Sequence, residues 1–149
     1  MLSVSTKTEY GLRALIRIAK ASDELSIAEI ASLEGISPKY LEGIASLLKS
    51  AGLILSQRGK HGGYRLARGA ELISLREVIR ALEGDVTPVR CAHGAAACGH
   101  SPSCASKRFW EGLKKVVDDY LEDTSLADLA GEGAKAGSPR ERRAGAKEA

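Results

Sequence analysis

Aromatic side chains are nearly missing from this 149-residue chain: one Phe, one Trp and four Tyr, 4% of the total. Any core must therefore be assembled from Leu, Ile, Val and Ala. No apolar run approaches the ~18 residues that a membrane-spanning helix requires. The opening Met1-Leu-Ser-Val-Ser-Thr-Lys7 has neither an apolar h-region nor a cleavage site. A cytoplasmic protein with no membrane partner is the expectation. Cysteines are few and odd in number, three, which argues against a disulfide framework. The three histidines, His61, His93 and His100, all sit in glycine-rich stretches, and no Ser or Cys nucleophile occupies a recognisable catalytic motif. An enzyme is not expected. What remains, 44% apolar and 28% charged residues, is the balance of a soluble globular chain of about one domain.

The net charge of +3 says little by itself, but its distribution says more. Between Ser37 and Arg68 the charged residues are Lys39, Glu42, Lys49, Arg58, Lys60, Arg65 and Arg68, six basic against one acidic. Such a local excess suits a surface that binds phosphates; it also suits a basic face that is merely solvated.

Hydrophobic spacing predicts a helix from Thr8 to Ala21, with Leu12, Leu15, Ile16, Ile18 and Ala19 near helical period. Ser26 with Glu29 three residues on is a capping box, opening a short helix from Ile27 to Leu33 that ends at Gly35. Ser37-Pro38 pairs a good N-cap with proline at the first helical position. The helix it opens is expected to run to about Ser50 and to bury Leu41, Ile44, Leu47 and Leu48. Two helices joined by Glu34-Gly35-Ile36-Ser37 read as a helix-turn-helix. Leu53 to Gln57, apolar at Leu53 and Leu55, and Tyr64 to Leu66 read as two strands. The glycine-rich tip Arg58-Gly-Lys-His-Gly-Gly63 between them makes a basic hairpin. A hairpin in that position is a wing; as a phosphate loop it lacks the Gly-Lys-Ser/Thr ending and a following helix. Ser74 and Glu77 form a second capping box, for a helix ending at Gly84. An amphipathic helix is expected from Ala105 to Leu121, with Phe109, Trp110, Leu113, Val116, Val117, Tyr120 and Leu121 on one stripe. That stripe can pack within the monomer or, as a two-fold operator would favour, against a second chain. Beyond Gly131, aperiodic Ala, Gly, Lys, Arg and Glu read as a disordered tail.

Cys91, Cys98 and Cys104, the only cysteines, fall in one loop of small residues, separated by six and five residues. Thiolates among small residues suit an iron–sulfur cluster. Zinc held by the three thiols and His93 or His100 is an alternative, although its usual Cys-x(2–4)-Cys knuckles are absent. A metal-free thiol switch and a loop without function also remain open.

Four segments carry a resemblance: Thr6-Lys-Thr-Glu-Tyr-Gly-Leu-Arg13, Ile36-Ser-Pro-Lys-Tyr-Leu-Glu42, Arg58-Gly-Lys-His-Gly-Gly-Tyr64 and Ile79-Arg-Ala-Leu-Glu-Gly84. Together they resemble the Rrf-type family of bacterial transcription regulators, which includes IscR-, NsrR- and CymR-like proteins, over about residues 1–130. The expected fold is mainly α with a small β-hairpin. A winged helix-turn-helix DNA-binding domain would span residues 1–84, a cysteine loop 85–104, a dimerisation helix 105–130 and the tail 131–149. The resemblance implies a homodimer on a double-stranded DNA operator, with a cluster held by three loop cysteines in the sensing branch. Cys91, Cys98 and Cys104 match those positions, with a first gap one residue longer than usual. The IscR-like branch has a histidine three residues after the last cysteine, where this chain has Lys107. In the NsrR-like branch an acidic residue of the partner's first helix completes the site, and Glu9 matches it. Glu9 is equally suited to be a solvated first-turn glutamate, and His93 or His100 can substitute. Whether the cluster is 2Fe–2S or 4Fe–4S stays open.

Helix-turn-helix docking puts Ser37, Lys39, Tyr40 and Glu42 near the major groove. Lys39 can reach a guanine edge or a phosphate, and Glu42 can accept from cytosine N4. At the wing, Arg58, Lys60, His61 and Arg65 can follow the backbone, with Arg58 or His61 entering a narrow minor groove. Two other classes compete. A cluster-free regulator would leave the cysteine loop to zinc or thiol chemistry. An iron–sulfur electron carrier would leave the basic wing without a purpose.

Overall fold

The computed structural model describes residues 4–59, 62–85, 87 and 104–131. Helix α1 spans Thr6–Lys20, two residues earlier than the sequence spacing indicated, because Ser5 caps it by accepting from the Thr8 amide. Thr8, Gly11, Ala14, Leu15 and Ile18 form its buried face. Both expected capping boxes are present, Ser26 with Glu29 on α2 (Ile27–Glu34) and Ser74 with Glu77 on α4 (Leu75–Glu83). Each satisfies amide groups that the first helical turn leaves without partners. Gly35 closes α2 at φ 66°, and Ser37 then caps α3 (Pro38–Ser50) through the Tyr40 amide at 3.2 Å.

The hairpin pairs β1 (Ile54–Gln57) with β2 (Gly63–Leu66) antiparallel, from Ile54 opposite Leu66 to Gln57 opposite Gly63. A single antiparallel bridge from Leu25 to Tyr64 adds the α1–α2 connection to the far side of β2. Gly63 permits this: a Cβ there would lie 2.6 Å from the Leu25 carbonyl carbon and 2.7 Å from its oxygen. Helix α5 (Lys107–Asp123) packs on α4, and α6 (Leu126–Ala130) returns to α1.

The core joins Leu15 and Ile18 of α1, Ile30 of α2, Leu41, Ile44 and Leu48 of α3, Ile54, Ile73, Val78, Leu82 and Leu126. It is aliphatic, as the shortage of aromatics required. Helix α1 lies at its centre and touches α2, α3, α4, α6 and β2. The approach of α1 to α4 is close enough that a Cβ on Gly11 would come within 2.5 Å of Leu82 Cδ1.

Two leucines of apolar runs lie outside the core, and the first corrects the burial expected of Leu47. Leu47 is exposed, because α3 turns Ile44, Ala45 and Leu48 inward and the adjacent leucine falls outside that arc. Leu55 is exposed too, since Leu53 and Ile54 go into the core and β1 begins only at Ile54. A third difference is α6: the segment expected as one helix to residue 130 breaks at Thr124. Ser125 caps a separate turn whose Leu126, Ala127 and Ala130 are buried. Backbone bonds from Leu75 to the Thr124 carbonyl and from Leu126 to the Ile73 carbonyl, both 2.8 Å, fasten this break to the start of α4.

Candidate nucleic-acid interface

The N-terminal end of α3 is presented to solvent: Ser37, Lys39, Tyr40 and Glu42 are all exposed, while Leu41 between them goes into the core. The cause is the helix period, which sends Leu41, Ile44 and Leu48 inward and leaves the opposite arc free. Arg58 and Arg65 of the hairpin are exposed as well. The structure thus brings six of the eight expected DNA-facing residues to the surface on two adjoining elements, since α3 leads directly into β1. Lys60 and His61 lie outside the described residues. Lys49, at the end of α3, donates to Ser56 Oγ of β1 at 2.7 Å, tying helix to wing.

A buried ion-pair cluster, outside the sequence expectations, adjoins this surface at Tyr40. Glu34, the last residue of α2, is buried. It is clamped by two arginines of α1, with Arg17 Nε donating to Oε1 at 2.6 Å and Arg13 Nε 2.7 Å from Oε2. The Arg13 guanidinium also lies 5.8 Å from the centre of the Tyr10 ring, and Tyr10 meets Tyr40 edge-on with centroids 6.2 Å apart. A carboxylate at a helix C-terminus opposes the macrodipole. That was the available signal that Glu34 needs a cationic partner.

Of the expected metal ligands, Cys104 and Glu9 are described. Cys91, Cys98, His93 and His100 lie outside the described residues. Cys104 is half-buried, three residues before α5, with its Sγ 3.2 Å from Ser106 Oγ. Hydrogen bonding from the Ser106 side chain, then from its backbone amide, holds the thiol pKa below its ordinary value. The anionic sulfur this favours is the form that ligates iron or zinc and also the form that reacts as a redox thiol. Glu9 is exposed in the first turn of α1. Among the described residues no three His, Cys, Asp or Glu side chains converge as a metal site, and no helix is long and apolar enough to cross a membrane.

Helix α5 carries several exposed apolar side chains. Phe109 and Val116 are 64% and 65% exposed and Tyr120 is exposed beside them, whereas Trp110, Leu113, Val117 and Leu121 are half-buried. The expected single stripe is therefore split between partly covered and uncovered residues.

Comparison with known proteins gives a consistent picture. Residues 4–132 match the family model described as "Rrf2: Iron-dependent Transcriptional regulator". Protein rrf2 of Nitratidesulfovibrio vulgaris is 38% identical over 130 residues, covering 86% of this chain and 87% of its own length. Among solved structures, CymR (YrzC), the global cysteine regulator of B. subtilis, is similar with a TM-score of 0.75 at 35% identity, covering 89% of this chain and 98% of that one. T. potens IscR is similar with a TM-score of 0.71 at 34% identity, covering 91% and 90%. With a mainly helical body, a small wing, a long C-terminal helix and a family match over all the described residues, the chain belongs to the Rrf2 family of transcriptional regulators, not to an enzyme family.

Proposed function

We propose that two copies of this chain associate through α5 and bind double-stranded DNA, with the N-terminal end of α3 in the major groove and the hairpin along the backbone. The observation that carries this reading is the exposed set Ser37, Lys39, Tyr40 and Glu42 on a helix whose opposite face is locked into the core. A rigid helix with a polar, cation-bearing N-terminal end is what base-edge reading requires. Lys39 supplies a donor for a guanine edge or a phosphate, and Glu42 an acceptor that penalises bases offering no donor. Arg58 and Arg65 supply phosphate contacts, joined in this reading by Lys60 and His61.

The reading extends to an iron–sulfur cluster held by Cys91, Cys98 and Cys104, with Glu9 of the other copy, His93 or His100 as the fourth ligand. When bound, such a group supplies a redox- and nitric-oxide-reactive centre. Support comes from Cys104, a half-buried thiol whose pKa the Ser106 hydrogen bonds lower, and from the family description, which names iron. Cys104 leads directly into α5, its carbonyl accepting from the Lys107 amide at 3.2 Å. A change of ligation at Cys104 is thus transmitted to the helix that sets the spacing of two reading heads, shifting the balance between binding and non-binding dimers. The same thiol suits a second reading, a cluster-free thiol-redox regulator.

The test is a visible spectrum with iron and sulfide analysis on protein purified without oxygen, alongside selection of duplexes from a randomised library. Brown protein that loses iron on Cys104→Ala substitution supports the sensor. Colourless protein that resists reconstitution favours the thiol reading. Loss of at least about tenfold in affinity for the selected duplex is expected for Lys39→Ala and for Arg58→Ala at fixed salt, and relaxed base preference for Glu42→Ala. Unchanged binding by all three would refute the docking.

A further inference from the structure

Glu34 is the only buried charged residue among the described ones, its side chain 2% exposed. It stands at the entrance to the turn that leads into α3. Its two arginines lie one helical turn apart on α1 and remain substantially exposed. Arg17 makes a directed hydrogen bond to Oε1, whereas the Arg13 contact to Oε2 is an ion pair without hydrogen-bond alignment. Arg13 divides its guanidinium between Glu34 and the face of Tyr10, and Tyr10 in turn presents edge-on to Tyr40 at an interplanar angle of 88°. The contacts Glu34–Arg13–Tyr10–Tyr40 therefore leave the helix-turn-helix before its turn, cross to α1 and return to the exposed third residue of α3.

We propose that Glu34 is a positioning residue for sequence reading: it holds Arg13 and Arg17 in place, and through Arg13 and Tyr10 it sets the attitude of Tyr40 and of the N-terminal end of α3. This inference rests on the DNA-binding reading above. Neutralising Glu34 frees two exposed arginines of α1 while loosening the element that discriminates bases. General attraction to DNA is then kept or raised, whereas preference for the selected sequence falls. A purely structural role would lower thermal stability and leave the preference of the folded protein alone. A phosphate-contact role for Arg13 would lower binding to every duplex equally and reduce the salt slope by about one contact.

The experiment uses the full chain and two duplexes of equal length, one selected from a randomised library by the wild type and one scrambled. Affinities are measured across a salt series below the melting temperature of each variant. For Glu34→Gln the expected result is a fall of about tenfold or more in the ratio of selected to scrambled affinity, the size of a lost base contact. Arg13→Ala, at a more exposed position, should lower the same ratio with little change in salt slope, and the two substitutions should be non-additive in the double variant. Lys39→Ala serves as the control. An unchanged ratio in Glu34→Gln and Arg13→Ala while Lys39→Ala loses its preference overturns the inference alone. A wild type that selects no sequence overturns the DNA-binding reading and the inference with it.

Discussion

Leu25 and Tyr64 exchange two backbone hydrogen bonds, Tyr64 N to Leu25 O at 2.8 Å and Leu25 N to Tyr64 O at 3.2 Å. A two-stranded hairpin is only marginally stable in water. This bridge, a further rung on the other side of β2, gives the wing an orientation referenced to α1 and α2.

Gly63 should accordingly be intolerant of a side chain. Gly63→Val would drive Cβ into the Leu25 backbone, which cannot yield as a side-chain tip can. A loss of about 1–3 kcal/mol in urea denaturation is expected, together with weaker binding to any duplex as Arg58 and Arg65 lose their fixed direction. Wild-type stability with intact DNA binding would show that the wing does not depend on the rung.

Glu83 ties the end of α4 to the start of α1, accepting from Thr8 Oγ1 at 2.7 Å, from the Ser5 amide at 3.0 Å and from the Ser5 hydroxyl. The Ser5 side chain, followed by Thr8, holds its carboxyl below the usual value of 4.5. A depressed folded pKa means that the contribution is fully present above about pH 4.5 and is lost as pH falls through the folded value. Glu83→Gln should thus be less stable than wild type at pH 7 by about 0.5 kcal/mol, small because the carboxylate is exposed. The gap should narrow in denaturation series run towards pH 3 (roughly the foot of that window). A gap constant with pH would mean that the carboxylate's charge contributes nothing.

Phe109 and Val116 offer a test of association. Because they are largely exposed, Val116→Glu should leave the fold of the single chain within about 0.5 kcal/mol, yet place a charge in the proposed contact between copies. Sedimentation should then give half the wild-type mass, with operator affinity falling as the second half-site is lost. An unchanged mass would remove this face of α5 from the contact.

Leu126 is fully buried although it lies in a helix of only five residues. Leu126→Ala should cost about 2–5 kcal/mol and release the break at Thr124 from α4. A cost below 1 kcal/mol (roughly that of a surface change) would show that α6 is not integral to the core.

Much of this was legible because caps are local. Ser26 with Glu29, Ser74 with Glu77 and Ser37-Pro38 announce helix starts from a few adjacent residues, and all three open helices. Burial within apolar runs was less legible. Leu47 and Leu48 are neighbours, as are Leu53, Ile54 and Leu55, and a run of leucines carries no phase to say which faces in. Helix α6 is too short to show a period, although Ser125 and Asp128 carried a capping signature. The Glu34 clamp joins positions 17 and 21 residues apart, beyond any local pattern, and only its unfavourable place at a helix end hinted at partners.

The break at Thr124 has a mechanical consequence. Its backbone is fastened to α4, and the ion pairs of Arg76 with Asp118 and Glu122, at 4.0 and 3.7 Å, grip the neighbouring last turns of α5. Helix α5 is about 25 Å long from its 17 residues, so the fulcrum lies at one end and Cys104 near the other. A tilt of a few degrees at the fulcrum moves the Cys104 end by about 2 Å over that length. In the proposed sensor, a change at Cys104 would therefore act over the full length of α5 on a junction bonded directly to α4.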